Sequence, residues 1–277
     1  VLDNFETGHR DALVDSDRLH VVEGSITDAN VLGKCFQSFE PTHVIHSAAS
    51  YKDPSDWQTD IEVNCLATAV LAKLCRKFSV KRLVNFQTSL CYGAPNIVPI
   101  PVSHPCNPFT SYGISKLAGE QFLLNSGLDV VSLRLANVTG PRLSIGPIPT
   151  FYQRLKEGKS CFCTNAVRDF VDMSDFLEIL SVSLQEDAPL GIFNVSTGEG
   201  TSIKKVFDTV AAHLDVKLEE PVRTIEVGDD DVQSLVLDPS QTIKEFNWEP
   251  TFKTDETLER MLKWYDENGV SKVYSHL

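Results

Sequence analysis

Residues 107–120 fix a helix between two strand-like apolar runs, 82–87 and 129–135, and place a tyrosine and a lysine four residues apart on it. Pro108 and the Thr110/Ser111 pair predict a helix start just before Tyr112. Ile114, Leu117, Ala118 and Phe122 then recur at helical spacing, which predicts an apolar inward face. Spacing of i and i+4 puts the Tyr112 phenol and the Lys116 ammonium on one side of that helix. A phenol, with its ordinary pKa of about 10, is a poor base at neutral pH. One unit charge at about 4 Å in an effective dielectric of about 20 is worth about 4 kcal/mol, or about three pKa units. Lys116 is therefore expected to draw Tyr112 towards neutrality, where a general base works best.

Other blocks stand around this helix. Thr88-Ser89-Leu90-Cys91-Tyr92-Gly93 follows the first strand-like run. Downstream come Leu133-Arg134-Leu135-Ala136-Asn137, then Val167-Arg168-Asp169-Phe170-Val171, then Phe193-Asn194-Val195-Ser196-Thr197-Gly198. In that order and at those separations the chain resembles the extended short-chain dehydrogenase/reductases, specifically the NAD-dependent epimerase/dehydratase branch that acts on nucleotide sugars. The resemblance covers nearly the whole chain. The wording of residues 87–93 and of Cys161-Phe162-Cys163 is most similar to the epimerases of bacterial lipopolysaccharide O-antigen pathways.

The resemblance implies an α/β fold, a doubly wound, Rossmann-like parallel sheet with a smaller C-terminal substrate-binding lobe. Residues 1–140 and 167–198 would form the NAD-binding domain, and 141–166 with 199–277 the lobe. It implies Thr88, Tyr112 and Lys116 as the catalytic set. Around the cofactor it implies Asp3 and Asn4 at the end of the second strand, Ser25, Ile26 and Asp28 near adenine, and Ala48 and Ala49 beside the nicotinamide. Asn64 supports the active site, and Tyr112 and Lys116 reach the cofactor as well. Asp28 reads equally as the N-cap of a helix through Val31 and Phe36. On the substrate side it implies Thr88, Ser89, Asn137 and Arg168, the last facing the diphosphate or else paired with Asp169 or Asp172. His46, just before the alanines, reads as a structural strand histidine.

Two departures from the family pattern carry chemistry. Where sugar 4,6-dehydratases place an Asp-Glu pair after the catalytic threonine, this chain has Ser89 and Leu90. Leu90 cannot ionise, so water loss lacks its acid and base, whereas 4-epimerisation needs only the Tyr/Thr/Lys set and a returned hydride. Gly228-Asp229-Asp230-Asp231 stands where UDP-sugar enzymes often carry an arginine, and reads as a solvated acidic loop. A nucleotide-sugar 4-reductase or dehydrogenase, and a non-catalytic binding subunit, are the competing functional readings.

The chain opens on Val1-Leu2-Asp3-Asn4-Phe5, a strand tail running into a loop, with no glycine-rich turn ahead of it. In strand order 3-2-1-4-5-6 the first strand is central. The expectation is a fragment short of about 30 N-terminal residues, a length inferred from the size of a βαβ unit, with unpaired strands flanking the gap.

With 277 residues and 42% hydrophobic content the chain can bury a substantial core. A net charge of −13 argues against nucleic acid or an anionic membrane as partner. Seven cysteines without a framework spacing suggest a reducing compartment, hence the cytoplasm. Cys161 and Cys163 have no second ligand pair to complete a metal site, so no metal is expected. The helix predicted over 60–78, with its stripe of Ile61, Leu66, Val70 and Leu74, is read as core or as the face of a homodimer.

Overall fold

The computed structural model describes residues 1–228 and 231–271. Strand β1 (Leu2–Asp3) pairs in parallel with β2 (Val22–Glu23), Leu2 opposite Val22. Helix α1 (Ala29–Phe39) leads to β3 (His43–His46), and α2 (Trp57–Asp60) runs through a π-helical turn, Ile61–Leu66, into α3 (Ala67–Lys77). Then come β4 (Arg82–Thr88), α4 (Ser111–Leu124), β5 (Val130–Leu135) and β6 (Asn137–Thr139). After these the chain passes through α5 (Pro147–Lys156), β7 (Phe162–Thr164), β8 (Val167–Arg168), β9 (Phe170–Asp172), α6 (Met173–Ser183) and β10 (Gly191–Val195). It closes with β11 (Thr201–Ser202), α7 (Ile203–His213), β12 (Arg223–Ile225), β13 (Ser234–Leu235), α8 (Ser240–Phe246) and α9 (Thr254–Asn268).

The centre is a four-stranded parallel sheet in the order β10-β5-β4-β3. Side chains alternate across it, so neighbours in sequence reach opposite cores. Leu83 and Val130 pack with Leu32 and Phe36 of α1, Leu71 and Cys75 of α3 and Leu123 of α4. Val84 and Val131 pack on the other face with Phe176 and Ile179 of α6, Phe246 of α8 and Trp248. Both faces are covered, so the strands are buried on either side, and the polar residues that alternate along them, Asn85 and Gln87 on β4 and Ser132 and Arg134 on β5, are buried as well. The expected doubly wound sheet is therefore present.

A third core joins α5, α7 and α9 through Ile148, Phe151, Val206, Phe207, Leu258 and Met261. Short strands brace this lobe: β7 with β12, and β8 between β11 and β13. Phe246 and Trp248 come from the C-terminal stretch yet pack on the sheet, so the two parts of the chain interleave there. Among the described strands β1 pairs with β2 and β3 with β4, and β1 and β3 are not bonded to each other. A cleft of about 760 Å³ lies between their edges.

Two expected faces turn out displaced. The stripe read as Ile61, Leu66, Val70 and Leu74 is split, since Ile61 and Leu66 are more than half exposed. The buried line is Asn64, Ala67, Leu71 and Cys75, because the π turn spaces contacts at i+5 and shifts the face. On α4, Ile114 and Phe122 point outwards, whereas Ser115, Lys116, Gly119 and Glu120 are buried. This helix turns its polar and small residues inwards.

Gly119 sets how closely α4 meets the π turn, because a Cβ there would lie 2.2 Å from the Asn64 carbonyl oxygen. Gly119→Ala should therefore cost about 1–3 kcal/mol of stability through overpacking. Gly33→Ala, in α1 with nothing near its added methyl, should gain up to about 1 kcal/mol. Urea unfolding of both variants beside the parent chain measures the contrast.

Candidate active site

Thr110 caps α4 by accepting the Gly113 N–H at 3.1 Å, which places Tyr112 in the first turn and Lys116 one turn later. Strand β4 ends at Thr88, whose hydroxyl accepts the Leu90 N–H at 3.2 Å and tightens the turn that follows. The two elements meet here, and the Thr88 hydroxyl is close enough to the Tyr112 phenol to bear on its acidity. Lys116 is buried under the same junction, and its Nζ donates to the Phe86 carbonyl at 2.6 Å. Thr88, Tyr112 and Lys116 are thus brought together.

The electrostatics differ from the expectation. Burial pushes the Tyr112 phenol above its ordinary value, the nearby Tyr51 adds to the rise, and the Thr88 hydrogen bond opposes it. Burial also pulls the Lys116 ammonium down to about 8, against the attraction of Glu120. Desolvation disfavours whichever form is charged, so it raises an acid and lowers a base. The ammonium is spent on Phe86, and the phenol is not drawn towards neutrality.

Asn64 is a brace. Its Oδ1 accepts the Ser50 N–H at 2.9 Å, and its Nδ2 donates to the Ser50 carbonyl at 2.9 Å and to Ser115 Oγ at 3.0 Å. Both amide ends are committed to protein, so Asn64 holds the loop at Ser50 against α4. His46 is buried, and burial, helped by Lys116, lowers its pKa to about 3, so the ring is neutral. Thr68 Oγ1 donates to the Asn64 carbonyl, and Nε2 of His46 is therefore the donor in its 2.8 Å bond to that hydroxyl.

Asp3, Asn4, Ser25, Ile26, Ala48 and Ala49 all line the 760 Å³ cleft. One Asp3 oxygen accepts the Phe5 N–H at 2.7 Å, which orients the carboxylate at the end of β1. The small side chains after β3 open the cleft where a ligand backbone must come close. An oriented acid at a strand end suits a ribose hydroxyl. Tyr51, in the same lining, meets the Tyr112 ring edge-on at 6.4 Å and joins the cleft to the junction of Thr88, Tyr112 and Lys116. Asp28 does not line this cleft. Its Oδ1 accepts the Asn30 and Val31 N–H groups at 2.8 and 3.1 Å, so Asp28 is the N-cap of α1.

On the substrate side Ser89 is buried in the turn after Thr88. Asn137 is fixed by the Asp169 carbonyl, which accepts its backbone N–H at 3.0 Å and its Nδ2 at 2.9 Å. Arg168 pairs neither with Asp169 nor with Asp172. Its Nη2 donates to Asp231 at 2.5 Å, 63 residues away, and its Nη1 to the Val167 carbonyl. Asp169 is committed to Thr197 and Gly198, and Asp172 caps α6 and meets Arg260. The acidic loop thus supplies a partner for Arg168 through Asp231; Asp229 and Asp230 lie outside the described residues. Cys163 is buried in the lobe core, and no group of three or more His, Cys, Asp or Glu residues is placed to hold a metal among the described residues.

Sequence reading missed Tyr51, Asp169 and the buried pair Glu120–Arg134. Tyr51 carried no signal beyond its place after the alanines. Arg134 did carry one, as a charge inside an otherwise apolar strand.

A family model described as the NAD dependent epimerase/dehydratase family matches residues 1–196. Among solved structures the chain is similar to the Bordetella bronchiseptica enzyme WbmG in complex with NAD and UDP. The TM-score is 0.95 at 58% identity, covering 100% of this chain and 89% of that one. The Bordetella bronchiseptica enzyme WbmH in complex with NAD+ matches with TM-score 0.90 and 41% identity over 97% of this chain and 90% of that one. A UDP-glucose 4-epimerase of Halalkalibacterium halodurans is 29% identical over 97% of this chain and 88% of its own length.

Burial raises the Asp169 carboxyl to about 6, against its hydrogen bonds from Thr197 and Gly198. The native state therefore takes up this proton at a higher pH than the unfolded chain does. As pH falls through about 6 towards about 4, this group alone makes folding more favourable. Asp169→Asn should remove that contribution, so its stability relative to the parent should drift downwards over the same window. Urea midpoints measured at intervals across it give the difference curve.

Proposed function

The chain belongs to the NAD-dependent epimerase/dehydratase family, and from that premise we propose that it is an NAD-dependent UDP-sugar 4-epimerase working through a 4-keto sugar. We place it in surface-polysaccharide or O-antigen biosynthesis and in the cytoplasm. The observation that carries the reading is the meeting of Thr88, Tyr112 and the buried Lys116 at one junction, joined through Tyr51 to a cleft lined by Asp3, Ala48 and Ala49. The likeness to WbmG with NAD and UDP supports both the cofactor and the nucleotide.

NAD would be held by Asp3 and Asn4 at the adenosine ribose, by Ser25 and Ile26 at adenine, by Ala48 and Ala49 at the strand end, and by Lys116 at the nicotinamide ribose. An acid at Asp3 favours a free 2′-hydroxyl over a 2′-phosphate. Bound NAD supplies the acceptor, and then the donor, of the hydrogen at C4.

Tyr112 takes the proton of the 4-hydroxyl and returns it, and Thr88 holds the same oxygen. Ser89 lines the sugar beside it. Asn137 and Arg168 receive the diphosphate, Arg168 by exchanging the Asp231 carboxylate for phosphate oxygens. Leu90 packs in an apolar cluster and offers no acid or base, which supports epimerisation over 4,6-dehydration.

The outward faces of α2, the π turn and α4 expose Trp57, Ile61, Leu66, Ile114 and Phe122. Exposed apolar residues on segments that pack together suit a second copy of the chain, so we infer a homodimer. The described helices include none long and apolar enough to cross a membrane.

Incubation with UDP-galactose and UDP-glucose, followed by NMR of the sugar and by NADH absorbance, tests the reading. The C4 epimer with no net NADH is the expected result. Stoichiometric NADH would instead mark a dehydrogenase, and bound NAD without turnover a non-catalytic binder. Tyr112→Phe should lower kcat by about 10²–10⁴. Lys116, held near 8 by burial, loses its charge as pH rises through that value, so kcat/KM should fall on the alkaline side from about pH 8.

A further inference from the structure

Gln87 precedes Thr88 on β4 and is almost completely buried, at 2% exposure. Strand alternation sends Phe86 to the α6 face, where its ring meets Phe176 edge-on at 5.1 Å, and Gln87 to the opposite face, under α4. There its Nε2 donates to the Lys116 carbonyl at 2.9 Å, while its Oε1 accepts the Thr88 N–H at 2.7 Å. Lys116 Nζ donates to the carbonyl of the residue before, Phe86. Two consecutive residues of β4 therefore grip Lys116 at both ends, and the same amide fixes the backbone of Thr88.

We infer that Gln87 is a positioning residue for the Thr88, Tyr112 and Lys116 set, fixing the strand end that carries Thr88 against the helix turn that carries the other two. The inference rests on reading those three as the catalytic set. Gln87 contacts neither the cleft lining nor, in the proposed reaction, the sugar, so it acts through Thr88 and Lys116. Its chemistry is specific. Only a primary amide offers one donor and one acceptor at this reach; glutamate would turn an oxygen on the Lys116 carbonyl, and asparagine is one methylene too short to span both partners.

Gln87→Met keeps the volume and removes both bonds. Its Thr88 amide should exchange with solvent deuterium faster than in the parent chain, while the Val84 and Phe86 amides keep their protection. Turnover of UDP-galactose should fall about 10–100-fold in kcat, the scale of a small misplacement at a reacting centre, with KM and NAD affinity within about twofold of the parent. In a Thr88→Ala background the same substitution should cost little more, because both act through one hydroxyl. Gln87→Glu retains the acceptor and loses the donor; its Thr88 amide should stay protected and its kcat fall between the two, and this variant carries the test if the Met variant does not fold. Unchanged Thr88 exchange, a kcat within twofold of the parent, or a full additional loss on top of Thr88→Ala overturns the inference. If the parent chain and Tyr112→Phe turn over alike, the proposed function fails instead, and Thr88 exchange still reports separately on whether Gln87 holds the strand end.

Discussion

A carboxylate with no exposed side-chain surface, Glu120, faces Arg134 across the junction of α4 and β5, and most of the site depends on that pair. Arg134 Nη2 reaches Oε2 at 2.7 Å and Nε reaches Oε1 at 3.3 Å, while Ser132 donates to Oε1 at 2.7 Å and is itself bonded by Asn85. A buried charge is tolerated when paired and hydrogen-bonded in this way, and removing one partner typically costs about 3–5 kcal/mol. The network continues, since the Arg134 guanidinium lies 4.8 Å over the Tyr92 ring and Tyr92 donates to Asn194 at 2.8 Å. Asn194 in turn donates to the Ile100 and Asp238 carbonyls. One polar chain thus ties α4 to the sheet and to the segment that leads into α8.

That pair also decides which way α4 faces. With Glu120 committed inwards, Lys116 one turn earlier is carried under β4, and Ile114 and Phe122 are turned outwards. Burying the polar side is favourable only because strand groups wait for it: the Phe86 carbonyl, Ser132 and Arg134. An isolated amphipathic helix would choose the other face. The outward apolar residues of α4 lie beside those of the π turn because Gly119 lets the two segments touch, so the interior charge pair and the apolar outer surface are two sides of one packing arrangement.

This explains how far the sequence was legible. The inner strands could be read because both their faces are covered, and Ala48 and Ala49 because a ligand cleft needs small residues at a strand end. Tyr112 and Lys116 could be placed on one helical face from their spacing, and Thr88 beside them only through the family resemblance; strand end and helix start fix where the three fall. The inward face of α4 could not, because periodicity assumes that the buried side is the apolar one and is blind to partners 12 and 14 residues away. The π turn moved its stripe by a backbone hydrogen-bond shift that leaves no compositional trace. Arg168 shows the same limit at longer range, as nothing near it in sequence announces Asp231. Asp28 was decided locally, by two N–H groups that only its own position could satisfy.

The upward shift of Tyr112 puts a condition on the proposed chemistry. In that reaction a single group removes the proton from the 4-hydroxyl and gives it back after the sugar has turned over, so it must be able to stand without its own proton near the working pH. Burial raises the phenol, with Thr88 opposing the rise, and Tyr112 therefore stands here as a neutral phenol, an acid and not yet a base. The cation one turn away that favours the phenolate is Lys116, which burial leaves charged only below about pH 8. Its Nζ is bonded to the Phe86 carbonyl, so the proposed reaction requires that charge to be turned from the strand towards the phenol, and the base is made when the site fills.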